Sequence, residues 1–160
     1  MGPAASGTNL ARLIYGTILS TALIAAYSEY PGADPAQIAL AVVVTALTFW
    51  VAHAYAGLLA EETEHGQGSA LATARRTLAD ESPLVVGSLP PVLPLLLAPL
   101  GATSDYTAEN IAIGTGIALL ALCGLAIARR RRLGPLGTLG AVGASASFGV
   151  VIVALKAFVH

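Results

Sequence analysis

Five long apolar runs, almost free of charge, constrain this chain more than any other feature: Leu10–Tyr27, Ile38–Ala60, Leu84–Leu100, Ile111–Ala128 and Leu136–Val159. Each has the length of about 17–25 residues that a helix needs to cross a bilayer. Of eight basic and nine acidic residues, only Arg12 and Lys156 fall inside the runs. Both sit near a run's end, where a long side chain reaches the headgroups. A soluble helix would interrupt such runs with polar positions every turn, and these runs lack them. The chain is 56% hydrophobic and 11% charged, where a soluble domain carries roughly 45–50% and about 25%. The expected fold is all-α: a polytopic membrane helix bundle forming a single integral membrane domain over residues 1–160, with a connector at 61–83.

Charge sets the expected orientation. The connector Ser28–Gln37 holds Glu29 and Asp34, and Gly101–Asn110 holds Asp105 and Glu109; neither has Lys or Arg. Arg75 and Arg76, the run Arg129–Arg132, and Arg12 all fall on the opposite side of a five-span path. By the positive-inside rule that side is cytoplasmic, with the N-terminus inside and the C-terminus outside. MGPAASGTN has no basic residue before the first run, so no cleaved signal peptide is expected. Seven arginines to one lysine and abundant alanine suggest a high-GC bacterial gene and a bacterial inner membrane. A net charge of −1 gives no basic field for nucleic acid. The single cysteine, Cys123, excludes an internal disulfide and a cysteine-cluster metal site.

The few polar groups inside or beside the runs are the candidates for chemistry. His53 is the one ionisable residue deep in a run, a default functional-site hypothesis in a membrane. It also reads as a neutral histidine donating to a neighbouring helix, or as part of an interfacial belt with Phe49, Trp50 and Tyr55. Glu61, Glu62, Glu64 and His65 follow it. Spacings of three place Glu61 with Glu64, and Glu62 with His65, on one helical face. Asp80 and Glu81 can join them if the connector folds back. Carboxylates with imidazole suit Fe2+ or Mn2+, while a solvated helix end followed by a short interfacial helix over 69–78 is the structural alternative.

The third run is preceded or interrupted by Pro83, Pro90, Pro91, Pro94 and Pro99. Each proline removes a helix hydrogen bond and frees a carbonyl, so a break at Pro90, Pro91 and Pro94 is expected. In a bilayer the freed carbonyls need partners from neighbouring helices or a wet cavity. In the fifth run, Gly140/Ala144 and Gly143/Ser147 form small-xxx-small pairs that favour helix packing or a homodimer. In the first run, Tyr15, Thr17, Ser20 and Thr21 cluster, with hydroxyls expected to bond back to helix carbonyls.

With these residues in view, the chain resembles a remote, reduced relative of the vacuolar iron transporter family. The resemblance rests on five spans with an acidic connector after the second. It rests also on Gly87-Ser88-Leu89-Pro90-Pro91-Val92-Leu93-Pro94, similar to that family's glycine-x-x-proline-x-x-proline pattern, and on Gly124-Leu125-Ala126-Ile127-Ala128 running into a basic connector and a glycine-rich last helix. It implies a transported divalent metal, with Glu61, Glu62, Glu64, His65, Asp80 and Glu81 as connector ligands. The sequence departs from the family where its first span carries an aspartate: here Tyr15-Gly16-Thr17-Ile18-Leu19 has no carboxylate. The family's intramembrane methionine is also missing, since Met1 is the only methionine.

The expectation is therefore a small transporter or permease of a divalent metal or protons. The alternative is a non-transporting structural or regulatory membrane subunit. No Ser/His/Asp arrangement, intramembrane aspartate pair or HExxH motif is present, so no enzyme is expected.

Overall fold

A computed structural model describes residues 3–64 and 70–158. They form five α-helices: α1 (Pro3–Tyr27), α2 (Pro35–Glu64), α3 (Ala70–Val92), α4 (Asp105–Arg130) and α5 (Pro135–Phe158), with a 3₁₀ segment at Leu93–Leu97 between α3 and α4. Gly7–Tyr27, Pro35–Ala60 and Asp105–Arg130 are each long and apolar enough to cross a membrane. In α3 the first half carries Arg75, Arg76, Asp80 and Glu81, and only the second half is apolar.

Local chemistry accounts for the helix ends. Pro35 and Pro135 stand at the first position of α2 and α5, where a missing N–H costs nothing. The Asp34 carboxylate accepts the Ala36 N–H at 2.9 Å, and Ser104 Oγ accepts the Thr107 N–H at 3.4 Å to start α4. Asp105 in the first turn of α4 and Arg129 and Arg130 in its last complement the helix dipole. Beyond α4, the Arg132 N–H reaches the Arg129 carbonyl and the Leu133 N–H reaches the Ala128 carbonyl. This is the doubled bonding of a Schellman stop, and it places Arg132 at φ 51°, where glycine is usual.

The short interfacial helix expected over 69–78 is absorbed into one continuous helix, α3. Pro83 leaves the Ala79 carbonyl without its backbone donor. Ser82 Oγ donates to that carbonyl at 2.7 Å, and the helix continues through the proline.

The helices alternate in direction, so the bundle has two chemically distinct ends. One end gathers Arg12, Arg75, Arg76 and Arg129–Arg132. The other holds the α1–α2 turn and the turn leading into α4. Near the second end lies a core of Ile24, Ala25, Ile38, Ala39, Val42, Val92, Leu95, Ala112 and Ile113. With 30 residues, α2 is about 45 Å long at 1.5 Å per residue. That exceeds a hydrocarbon core of about 30 Å, and one end of α2 lies beside the polar half of α3. There Gly57 makes room for the Thr77 side chain.

Candidate functional site

The polar groups of the bundle converge on the contact between α1 and α3, which run parallel. Gly16-Thr17 of α1 faces Gly87-Ser88 of α3. A Cβ on Gly16 would collide with the Leu84 carbonyl, and one on Gly87 with the Leu13 carbonyl. Both glycines therefore let backbone approach backbone. Across this contact the Thr17 hydroxyl shares its one hydrogen between the Leu13 carbonyl of its own helix at 2.9 Å and the Gly87 carbonyl at 3.0 Å, and Ser88 Oγ lies 2.9 Å from the Leu84 carbonyl and 3.2 Å from the Gly16 carbonyl. The Gly87 carbonyl is the one that Pro91 deprives of its helix donor. A hydroxyl on one helix thus supplies part of the donation that a proline removed from the other. Thr17, Ser20 and Thr21 are fully buried, and Ser88 is 2% exposed. Ser20 and Thr21 both donate to the Thr17 carbonyl, at 3.1 and 2.7 Å.

At the arginine-bearing end of the same contact sits an ion pair. Arg12 Nη2 lies 2.6 Å from Glu81 Oε1, and Arg12 Nη1 donates to the Asp80 carbonyl at 2.7 Å. Glu81 is 7% exposed, and its second oxygen, Oε2, is buried with no hydrogen-bond partner. A buried carboxylate oxygen left unpaired is costly, and such an atom in a native fold calls for an explanation.

Arg12 was expected to extend to the headgroups, and Glu81 to serve as a connector ligand. Instead they pair with each other. Asp80 is exposed. Glu61, Glu62 and Glu64 form the end of α2, and His65 lies outside the described residues. Among the described residues, no three His, Cys, Asp or Glu gather to hold a metal ion.

His53 is exposed on α2. Its Nδ1 is 2.9 Å from the Phe49 carbonyl; a carbonyl only accepts, so Nδ1 carries the hydrogen. Its ring stands 5.7 Å from that of Tyr15 and 6.3 Å from that of Phe49. Nearby, Trp50 Nε1 donates to the Leu78 carbonyl at 2.9 Å, tying α2 to α3. The rings of Tyr15, Phe49 and His53 group beside this tie, with His53 exposed.

α-Helical geometry passes through Pro90 and Pro91 and gives way to the 3₁₀ segment at Leu93, which contains Pro94. In α5, Gly140 and Gly143 face open space, and Ala144 and Ser147 are exposed. The packing of α4 on α5 uses the adjoining face instead: Gly124 lies under the Ala141 carbonyl and Ser145, and Gly149 under Ile117.

No protein-family profile, curated protein or solved structure matches this chain. The likeness to vacuolar iron transporters rests on the sequence features alone.

Proposed function

We propose that the protein crosses the bilayer five times, N-terminus inside and C-terminus outside, and works as a small permease for a cation: a proton or a divalent metal such as Fe2+ or Mn2+. Glu81 is the ionisable group on its path. Support for the orientation comes from the arginines gathered at one end and from the Lys- and Arg-free connectors at the other. The observation that carries the permease reading is Glu81 itself. Its carboxylate is buried between α1 and α3, held by Arg12 through one oxygen and unpartnered at the other. Ionisable groups in such places mark ion and proton routes.

Proteoliposome flux of protons and of Mn2+ tests the reading. Glu81→Gln keeps the side-chain shape and removes the charge, and flux should fall at least tenfold. His53→Ala and Glu61→Ala report whether the path includes the other candidates. Wild-type flux in Glu81→Gln would refute the assignment.

The second reading, a non-transporting structural or regulatory subunit, is favoured by a separate observation. The buried hydroxyls Thr17, Ser20, Thr21 and Ser88 all bond to helix carbonyls. That arrangement locks helices together and commits the hydroxyl hydrogens to packing. Absent flux for both ions, with a stable complex on gentle extraction, would favour this reading.

A further inference from the structure

Where α4 gives way to α5, the chain carries its densest run of charge, Arg129, Arg130, Arg131 and Arg132. The run follows directly on a stretch, Asp105–Arg130, that is long and apolar enough to cross a membrane. Arg129, Arg131 and Arg132 are exposed. No acidic residue occurs from Ile111 to His160, and among the described residues none of these three arginines meets a carboxylate. The other arginines at this end differ. Arg12 is held by Glu81, Arg130 has an interaction of its own, and Arg75 and Arg76 share their helix with Asp80 and Glu81.

The backbone keeps an arginine where a glycine would be easier. Among the described residues, left-handed φ occurs at Gly32, Gly101 and Arg132. A side chain in that region is strained, and strain retained in a fold points to a use for the residue that bears it. A glycine stands close by, at Gly134, yet it does not take the left-handed place. Apolar side chains adjoin the arginines: Leu133 is 40% exposed, and Leu136 in the first turn of α5 is 84% exposed.

We infer that Arg129, Arg131 and Arg132 form a seat for an anionic phospholipid, with the phosphate on the guanidinium groups and the upper acyl chains against Leu133 and Leu136. The planar guanidinium fork matches phosphate oxygens. Basic runs at the end of a membrane helix attract anionic headgroups, by about fivefold in affinity per arginine. Helix dipoles do not change the sign of the field. α4 ends here with about half a negative charge and α5 begins with about half a positive one, so the two offset each other and the arginines decide. The exposed leucines select a lipid over a phosphate free in solution, which would leave them against water. The seat requires only that α4 cross the bilayer, whether or not a cation passes by Glu81.

The test is native mass spectrometry of the full-length protein in dodecyl maltoside, titrated with phosphatidylglycerol or with phosphatidylcholine of the same chains. The first phosphatidylglycerol should bind at least about tenfold more tightly than phosphatidylcholine. Arg132→Gly should weaken phosphatidylglycerol binding about fivefold, and Arg131→Gln with Arg132→Gly about twenty-fivefold. Arg132→Gly also relieves the left-handed backbone, so its loss of lipid cannot come from a weakened fold. Arg75→Gln with Arg76→Gln removes the same charge at the same end and should leave binding within about twofold, since those arginines have acidic neighbours that already offset them. Equal binding of the two lipids, or undiminished phosphatidylglycerol binding in the Arg131 and Arg132 double variant, would overturn the inference. So would an equal loss in the Arg75 and Arg76 variant, which would show net charge acting without a seat. Displacement of the lipid by inorganic phosphate at equal concentration would overturn it in favour of a soluble anion.

Discussion

Gly16→Ala adds a single methyl group, and the structure says where it must go: onto the Leu84 carbonyl oxygen, inside contact distance. The obstacle is backbone, so no side-chain rotation relieves it. α1 and α3 must part by about 1 Å, a gap that forfeits up to half the dispersion energy of each contact along it. Overpacking of this kind costs about 1–3 kcal/mol. The same movement stretches Thr17 Oγ1 to the Gly87 carbonyl and Ser88 Oγ to the Gly16 carbonyl. Interhelical hydrogen bonds in membranes are worth about 0.6 kcal/mol each on average. The expected loss is about 2–4 kcal/mol in total. The assay is equilibrium unfolding by sodium dodecyl sulfate in mixed micelles. The fluorescence of Trp50, the only tryptophan, supplies the signal because its indole bridges α2 to α3. Gly114→Ala is the control: a Cβ there meets nothing within 4 Å, and the gain in helix propensity is at most about 1 kcal/mol. Gly87→Ala should match Gly16→Ala. The double variant should cost less than the sum, because the first methyl group has already separated the helices that the second would push. Equal stabilities for Gly16→Ala and Gly114→Ala would refute the reasoning.

Two further expectations follow from single contacts. Thr17→Val keeps the side-chain shape but leaves the proline-freed Gly87 carbonyl without its donor, and should lower stability by about 1–2 kcal/mol. Thr17→Ser should stay within about 0.5 kcal/mol, so equal losses in the two would show that shape and not hydrogen bonding matters. Arg132→Gly relieves a left-handed backbone and should raise stability by about 0.5–1 kcal/mol in the same unfolding assay, with a loss counting against the Schellman assignment.

The apolar runs made the helices legible because hydropathy acts over whole segments, and α1, α2 and α4 contain the runs assigned to them. The boundaries were less legible. α3 starts well before its apolar run because Ser82 repairs the bond that Pro83 removes, and no periodicity reports a local repair of that kind. Of the prolines expected to break the third run, only Pro94 lies where helix type changes; the α-helix continues through Pro90 and Pro91 as it does through Pro83, because the cost of a lost donor depends on the neighbours that can replace it. The Arg12–Glu81 pair lay beyond sequence reasoning. Nothing along the chain tells that residues 69 positions apart share a helix contact until the glycines that permit the contact are seen face to face. The outward position of Gly140 and Gly143 was hidden for a related reason. Small residues announce that close approach is possible on a face, and leave open which neighbour takes it.

The contact of Thr17 with the Gly87 carbonyl has a consequence for how the two helices depend on each other. α3 cannot satisfy its own backbone: the donor that Pro91 deleted is supplied in part by a helix about seventy residues earlier in the chain. Away from α1, that carbonyl would stand bare in an apolar contact face, at a cost of about 1–3 kcal/mol. The two helices are therefore one cooperative unit, in which the first completes the hydrogen bonding of the proline-rich one.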